Sequence, residues 1–193
     1  MTIDTLRAEP VLITDRVATA WANAHSVTRR ALVAACVSSV AAAIVVPAPF
    51  AVRGAVALSG MLLVVAALVD LHESKLPNRL LAVALAAIAT GSIATLDLVV
   101  IARTLAGCVI GGGLLLVVHL TRGVGMGDVK MAAVVGAGVG AVSLLATPVA
   151  IAVAAFCAAT YGVLAHRRRL VLGPSLWLGW VLALALASSG WFA

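Results

Sequence analysis

The sequence predicts an all-α, polytopic transmembrane helix bundle of about seven helices, and three observations lead there. Of 193 residues, 64% are hydrophobic and only 10% are charged, with a mean hydropathy of +1.20. Soluble domains run closer to about 45–50% apolar and about 25% charged, and so small a soluble fold has no interior large enough to hide the surplus. The apolar residues fall in runs near the length a membrane helix needs, about 20 residues. The cations between the runs alternate in density from one link to the next, as membrane topology requires.

Residues 1–30 are mixed polar and lack the short apolar stretch of a cleavable signal. They are expected to form a cytoplasmic N-terminal segment, with the transmembrane domain spanning 31–193. The first apolar run, 31–46, follows Arg29 and Arg30 and ends at Pro47 and Pro49, where helical continuation is blocked. It suits an uncleaved signal anchor. The second run, 54–70, ends on Asp70. The third, 80–95, follows Pro77, which favours an extended Leu76 and sets how the chain leaves the Asp70 helix. The fourth is 104–120 and the fifth 129–145, the latter beginning directly after Asp128. The sixth, 148–165, is separated from the fifth only by a turn near Thr147 and Pro148. The seventh is 176–191. Gly107 with Gly111, and Gly136 with Gly140, form small-xxx-small pairs suited to close helix contact, which in lipid depends on packing rather than hydrophobic drive.

Orientation follows from the cations. With the N-terminus in the cytoplasm, the cytoplasmic segments 1–30, 71–79, 121–128 and 166–175, together with Lys130 at the boundary, hold 11 of the 13 Lys and Arg residues. Only Arg53 and Arg103 lie on the other side. This asymmetry accounts for the net charge of +6 without nucleic acid as a partner, and aromatic residues for base stacking are few. The expected partner is the lipid bilayer. The Arg167–Arg169 run fits a topology determinant and also an anionic-lipid contact. Cys36, Cys108 and Cys157 lie in apolar runs at spacings of neither a metal clip nor a redox pair, so neither disulfide nor zinc is expected.

Acidic residues number only seven. Asp4, Glu9 and Asp15 sit in the N-terminal segment and Asp97 in an outer link, leaving Asp70, Glu73 and Asp128. Asp70 ends one apolar run and Asp128 precedes another, both at the cytoplasmic boundary. Carboxylates at such depth are costly and usually face a bundle interior or a wet cavity. Two carboxylates brought together share a proton, because like charges a few ångströms apart cannot both ionise easily. The ionised member then takes a proton from water while the protonated member donates to a peptide carbonyl. No Ser or Cys has a paired His to offer a nucleophilic alternative. Either Asp alone also fits an ordinary interfacial residue, and Asp128 also fits a helix N-cap.

The local sequences bear on that choice. The first Asp opens Asp70-Leu71-His72-Glu73-Ser74-Lys75-Leu76-Pro77-Asn78, and the second lies in Gly125-Met126-Gly127-Asp128-Val129-Lys130. This resembles the type IV prepilin peptidase family, whose signatures are an Asp followed seven residues later by Pro-Asn or Pro-Asp, and Gly-x-Gly-Asp-x-Lys. Leu172-Gly173-Pro174-Ser175-Leu176 is similar to a third family segment, with Leu172 where Phe is usual. The resemblance covers about 54–192. It implies a six-helix core preceded by one helix. It makes Asp70 and Asp128 the catalytic dyad of a GxGD-type aspartyl protease of the bacterial cytoplasmic membrane, and a prepilin or pseudopilin precursor the substrate. Pro77, Asn78, Gly125, Gly127, Lys130, Gly173 and Pro174 become supporting motif positions, and no cofactor or metal is implied. Longer members carry an N-terminal insert with Cys-x-x-Cys pairs and can N-methylate the new terminus. Its lack here points to peptidase activity alone, as in the short tight-adherence (Flp-type) form.

Physical chemistry reads the same positions independently. Gly125 and Gly127 allow a tight turn and close approach of the backbone to a substrate strand. Gly123-x-Gly125-x-Gly127 is not expected to be a nucleotide loop, since no βαβ unit surrounds it. Lys130 either biases the field at Asp128 or snorkels to lipid phosphate. His72 and Glu73 are expected as solvated loop residues, and His119 lies on another helix at no ligand spacing from them. The competing class is a small proton- or cation-coupled transporter component using the same two Asp residues.

Overall fold

The computed structural model describes residues 26–73, 76–121, 124–164 and 172–191, without the side chains of residues 26–30, 72 and 73. These form seven α-helices and no strand among the described residues: α1 Ser26–Val45, α2 Phe50–Glu73, α3 Asn78–Ile93, α4 Leu98–Leu120, α5 Met126–Gly140, α6 Ala146–Leu164 and α7 Gly173–Ser188. The chain is an all-α bundle. By length and composition, stretches of α2, α4 and α6 are apolar and long enough to cross a membrane (Phe50–Leu71, Leu98–Leu120 and Ala146–Leu164), while those of α1, α3 and α7 are apolar but shorter.

Most helices begin earlier than their apolar runs. α2 starts at Phe50 rather than 54 and α4 at Leu98 rather than 104, because Arg53 and Arg103 sit within the opening turns instead of in the links. Asp97 caps α4, its carboxylate accepting from the Val99 N–H at 2.8 Å. α5 takes in Asp128 and Lys130 and stops at Gly140, so the turn before α6 lies at 141–145, ahead of Pro148. The start of α1 likewise reaches back to Ser26. Residues 1–25, most of the expected N-terminal segment, lie outside the described residues, as do Lys75, Arg122, Gly123 and Arg167–Arg169.

Consecutive helices pack against one another, as short links require, and α5 is the centre, touching α2, α3, α4, α6 and α7. Its composition permits this: from Met131 to Gly140 every residue but Ala133 is fully buried, and they are mostly Ala, Val and Gly. The two glycine pairs face each other. A Cβ on Gly107 would run into the Gly136 carbonyl oxygen and one on Gly136 into that of Gly107, so α4 and α5 cross with backbones in contact. Elsewhere glycines make room for a ring: Trp180 is fully buried between Gly60 and Gly138. Hydroxyls join neighbouring helices, Ser92 with Thr104 at 2.8 Å between α3 and α4, and Ser39 accepting from the Trp177 N–H at 2.9 Å between α1 and α7.

Candidate active site

Alternation of direction puts the end of α2 and the starts of α3, α5 and α7 at one end of the bundle. Asp70 lies in the last turn of α2 and is buried, 7% exposed. α7 begins directly against it. The Gly173 backbone N–H donates to Asp70 Oδ2 at 3.3 Å. A Cβ on Gly173 would stand 2.8 Å from that oxygen and 3.3 Å from the Ala67 Cα, so the close approach depends on glycine. Pro174 occupies the opening turn of α7, where its missing N–H costs no helical bond. Leu172 precedes them in the apolar core, and its carbonyl accepts from Leu176 N at 2.9 Å.

Asp128 is not the N-cap of α5. Gly125 is, with extended φ −73 and ψ 152, and Asp128 is the third residue of the helix, its N–H donating to the Gly125 carbonyl at 3.1 Å. The carboxyl lies just ahead of the apolar stretch that starts at Val129. Burial pushes its pKa up from 3.8 to about 6, the charge of Asp70 adds to the rise, and the Gly125 N–H opposes it. Two carboxylates 58 positions apart in sequence are thus electrostatically coupled.

The motif residues around them are joined. The Lys130 ammonium donates to Asn78 Oδ1 at 3.1 Å, linking the first turn of α5 to that of α3. Pro77 is the N-cap of α3, extended at φ −75 and ψ 104, and its carbonyl accepts from Leu80 and Leu81. Leu76 turns back under α5: a Cβ on Gly127 would lie 3.1 Å from the Leu76 Cβ and 3.2 Å from its Cδ1. His119 Nδ1 is 2.7 Å from the Val124 carbonyl and pins the approach to Gly125 onto the end of α4.

Gly125 and Gly127 adopt no left-handed backbone; among the described glycines only Gly190 does, at φ 80. Their smallness serves packing instead, Gly127 against Leu76 and Gly125 beside the Asp128 carboxylate. His72 and Glu73 belong to the last turn of α2 rather than to a loop, because the helix continues past its apolar run. Sequence reasoning read Leu76 only as extended and passed over its contact with Gly127 and the tether made by His119. Leu76 has a visible signal, as the one apolar residue in the polar stretch Glu73 to Arg79.

None of α3, α5 or α7 carries a side-chain N-cap hydrogen bond. Three helix N-termini therefore open toward one end, that of α7 already donating its Gly173 N–H to Asp70, a partially positive setting that favours acidic groups and anionic intermediates. A carboxylate acceptor, a carboxyl that holds its proton up to about pH 6 and nearby backbone donors can together support acid–base chemistry on a peptide bond. Among the described residues no three His, Cys, Asp or Glu side chains cluster as a metal site.

A family model described as the type IV leader peptidase family matches residues 57–163, more than half of the chain. The matched stretch includes Asp70, Pro77, Asn78 and Gly125 to Lys130 and ends before Gly173. No curated protein and no solved structure matches the chain.

Proposed function

The chain belongs to the type IV leader peptidase family, and from that premise we propose that it is a membrane-embedded aspartyl endopeptidase with Asp70 and Asp128 as its catalytic pair. Its substrates are type IV-like prepilins or pseudopilins, cleaved at the cytoplasmic face of the bacterial inner membrane. The observation that carries this reading is the junction at one end of the bundle. Gly173 donates to Asp70, the Asp70 charge raises the Asp128 pKa, and Lys130 bonds Asn78.

Asp70, already an acceptor for a backbone N–H, acts as the general base toward a water. Asp128 holds a proton up to about pH 6 and donates it toward the scissile carbonyl oxygen. The tetrahedral intermediate collapses with proton transfer to the departing amine, and no covalent enzyme intermediate is needed. A substrate whose short basic leader precedes an apolar helix fits a pair placed at a helix boundary: the apolar segment stays in lipid and the scissile bond meets the carboxyls at its edge. Peptidase activity alone is proposed, without N-methylation.

The test is cleavage of a co-expressed prepilin in membranes by wild type, Asp70→Asn and Asp128→Asn. Each replacement keeps shape and removes the ionisable group. Wild type is expected to cleave and both variants, expressed at equal level, to be inactive. Near wild-type cleavage by either assembled variant rules out the shared-proton pair.

A further inference from the structure

The end of the bundle away from Asp70 and Asp128 holds a separate cavity of about 330 Å³. It lies among the α1–α2 link, the opening turns of α4, the α5–α6 turn and the end of α7, lined by Pro47, Arg103, Ser143, Leu144, Ser188 and Gly190, among others. α5 alone separates it from the aspartates by about 22 Å, at 1.5 Å per residue.

Its chemistry is that of an anion site in an apolar frame. Among the described residues Arg103 is the one charged side chain in the lining, and no described carboxylate joins it. Among the described residues its guanidinium has no acceptor, and the Ser143 hydroxyl has no partner. Ser188 is different, since its hydroxyl already donates to the Ala185 carbonyl at 2.7 Å. The acid that precedes the same helix, Asp97, accepts from the Val99 N–H as its cap. Arg53, the second cation at this end, donates through Nε to the Ala48 carbonyl at 2.7 Å. Among the described residues at this end Arg103 is left as the cation with free donors, and a planar fork of N–H groups matches phosphate oxygens best.

The surroundings select the source of that phosphate. Leu145 in the lining is 67% exposed and Trp191, next to the lining Gly190, is 78% exposed, an apolar rim suited to acyl chains. The volume is at the small end of the range of about 300–1,000 Å³ for ligand sites, enough for a headgroup but not for a lipid tail. We propose that Arg103 and Ser143 hold the phosphate of an anionic phospholipid headgroup at this end of the bundle, with the acyl chains outside on the exposed rim. The proposal does not depend on the peptidase reading.

Native mass spectrometry of the purified full chain, titrated with phosphatidylglycerol, reads occupancy directly. Arg103→Gln is expected to weaken retention about tenfold, the worth of a charge-assisted phosphate contact, while Arg103→Lys keeps most of it. Ser143→Ala is expected to weaken it about threefold and serves if Arg103→Gln fails to assemble. Arg53→Gln should leave it unchanged. Equal retention by wild type, Arg103→Gln and Ser143→Ala overturns the site. An equal loss in Arg53→Gln reduces it to nonspecific charge attraction. Displacement of the lipid by millimolar inorganic phosphate assigns the cavity to a free phosphate and overturns the lipid assignment.

Discussion

Lys130 and Asn78 stand 52 positions apart and are joined by one hydrogen bond of 3.1 Å. The bond ties the helix bearing Asp128 to the helix that follows Asp70. It is exposed, so its value to global stability is small, on the order of 0.5 kcal/mol. Its effect belongs to position. Lys130→Met and Asn78→Ala are each expected to slow leader cleavage about tenfold, and the double variant to be no slower than the slower single one, the signature of one shared interaction. Cleavage rates in membranes at matched expression check this; multiplicative losses would mean that the two residues act separately.

Gly173 permits what no other residue would. Its Cβ would lie 2.8 Å from Asp70 Oδ2, against a rigid carboxylate and the backbone of Ala67. Gly173→Ala must push α7 or Asp70 aside. A displacement approaching 1 Å at a reacting group costs about 10²-fold in rate. Cleavage should therefore fall about that far while the protein still assembles, as judged by its gel-filtration profile in detergent. A variant with unchanged rate would show that α7 does not position Asp70.

Gly127 meets a softer obstacle. The atoms 3.1 and 3.2 Å from its would-be Cβ belong to the Leu76 side chain. Gly127→Ala is expected to lower cleavage several-fold, and Leu76→Ala in the same chain to restore much of it by opening the space. Failure of the second change to rescue the first would place the role of Gly127 in substrate approach instead.

Much of this arrangement was legible in the sequence for physical reasons. Apolar runs report burial in lipid or in the bundle, so all seven helices are visible from hydropathy alone. Their ends are not, because Arg53, Arg103 and Asp128 read as link residues although backbone hydrogen bonding carries the helix through them. Asp70 and Asp128 stand out because acidic residues are scarce in such a chain. The Gly173 contact is invisible to pattern reading, since it joins atoms 103 positions apart. The glycines of the Asp128 motif hide their packing in the same way: extended and helical backbone is combined with want of space against Leu76, 51 positions away from Gly127.

The paired glycines of α4 and α5 give the packing a sharp test. A side chain on Gly136 would enter the Gly107 carbonyl, whereas one on Gly113 meets nothing within 4 Å. Gly136→Val is expected to destabilise by about 1–3 kcal/mol or to prevent assembly. Gly113→Ala should be neutral or stabilising by a few tenths of a kcal/mol, up to about 1 kcal/mol from helix propensity. Thermal unfolding of the two variants in detergent distinguishes them, and equal behaviour would contradict the close α4–α5 crossing.

Asp128 should leave a mark on stability as a function of pH. Its carboxyl has an ordinary pKa of 3.8 in the unfolded chain and about 6 in the folded one, raised first by burial and then by the Asp70 charge. Below pH 3.8 the group is protonated in both states and imposes no penalty. Between 3.8 and 6 the unfolded chain loses its proton while the folded one keeps it, so stability falls as pH rises. Above 6 both states are ionised and the penalty is constant. Asp128→Asn removes the titration, so its melting temperature relative to wild type should rise from pH 4 to pH 7 and level off beyond. The carboxyl is only partly buried, and solvent screening discounts the effect; a gain of roughly 2–4 °C is expected for a chain of this size. Differential scanning fluorimetry in detergent across that range measures it. A gap that does not change with pH would show that the Asp128 proton is not held by the fold, and would remove Asp128 as the acid of the pair.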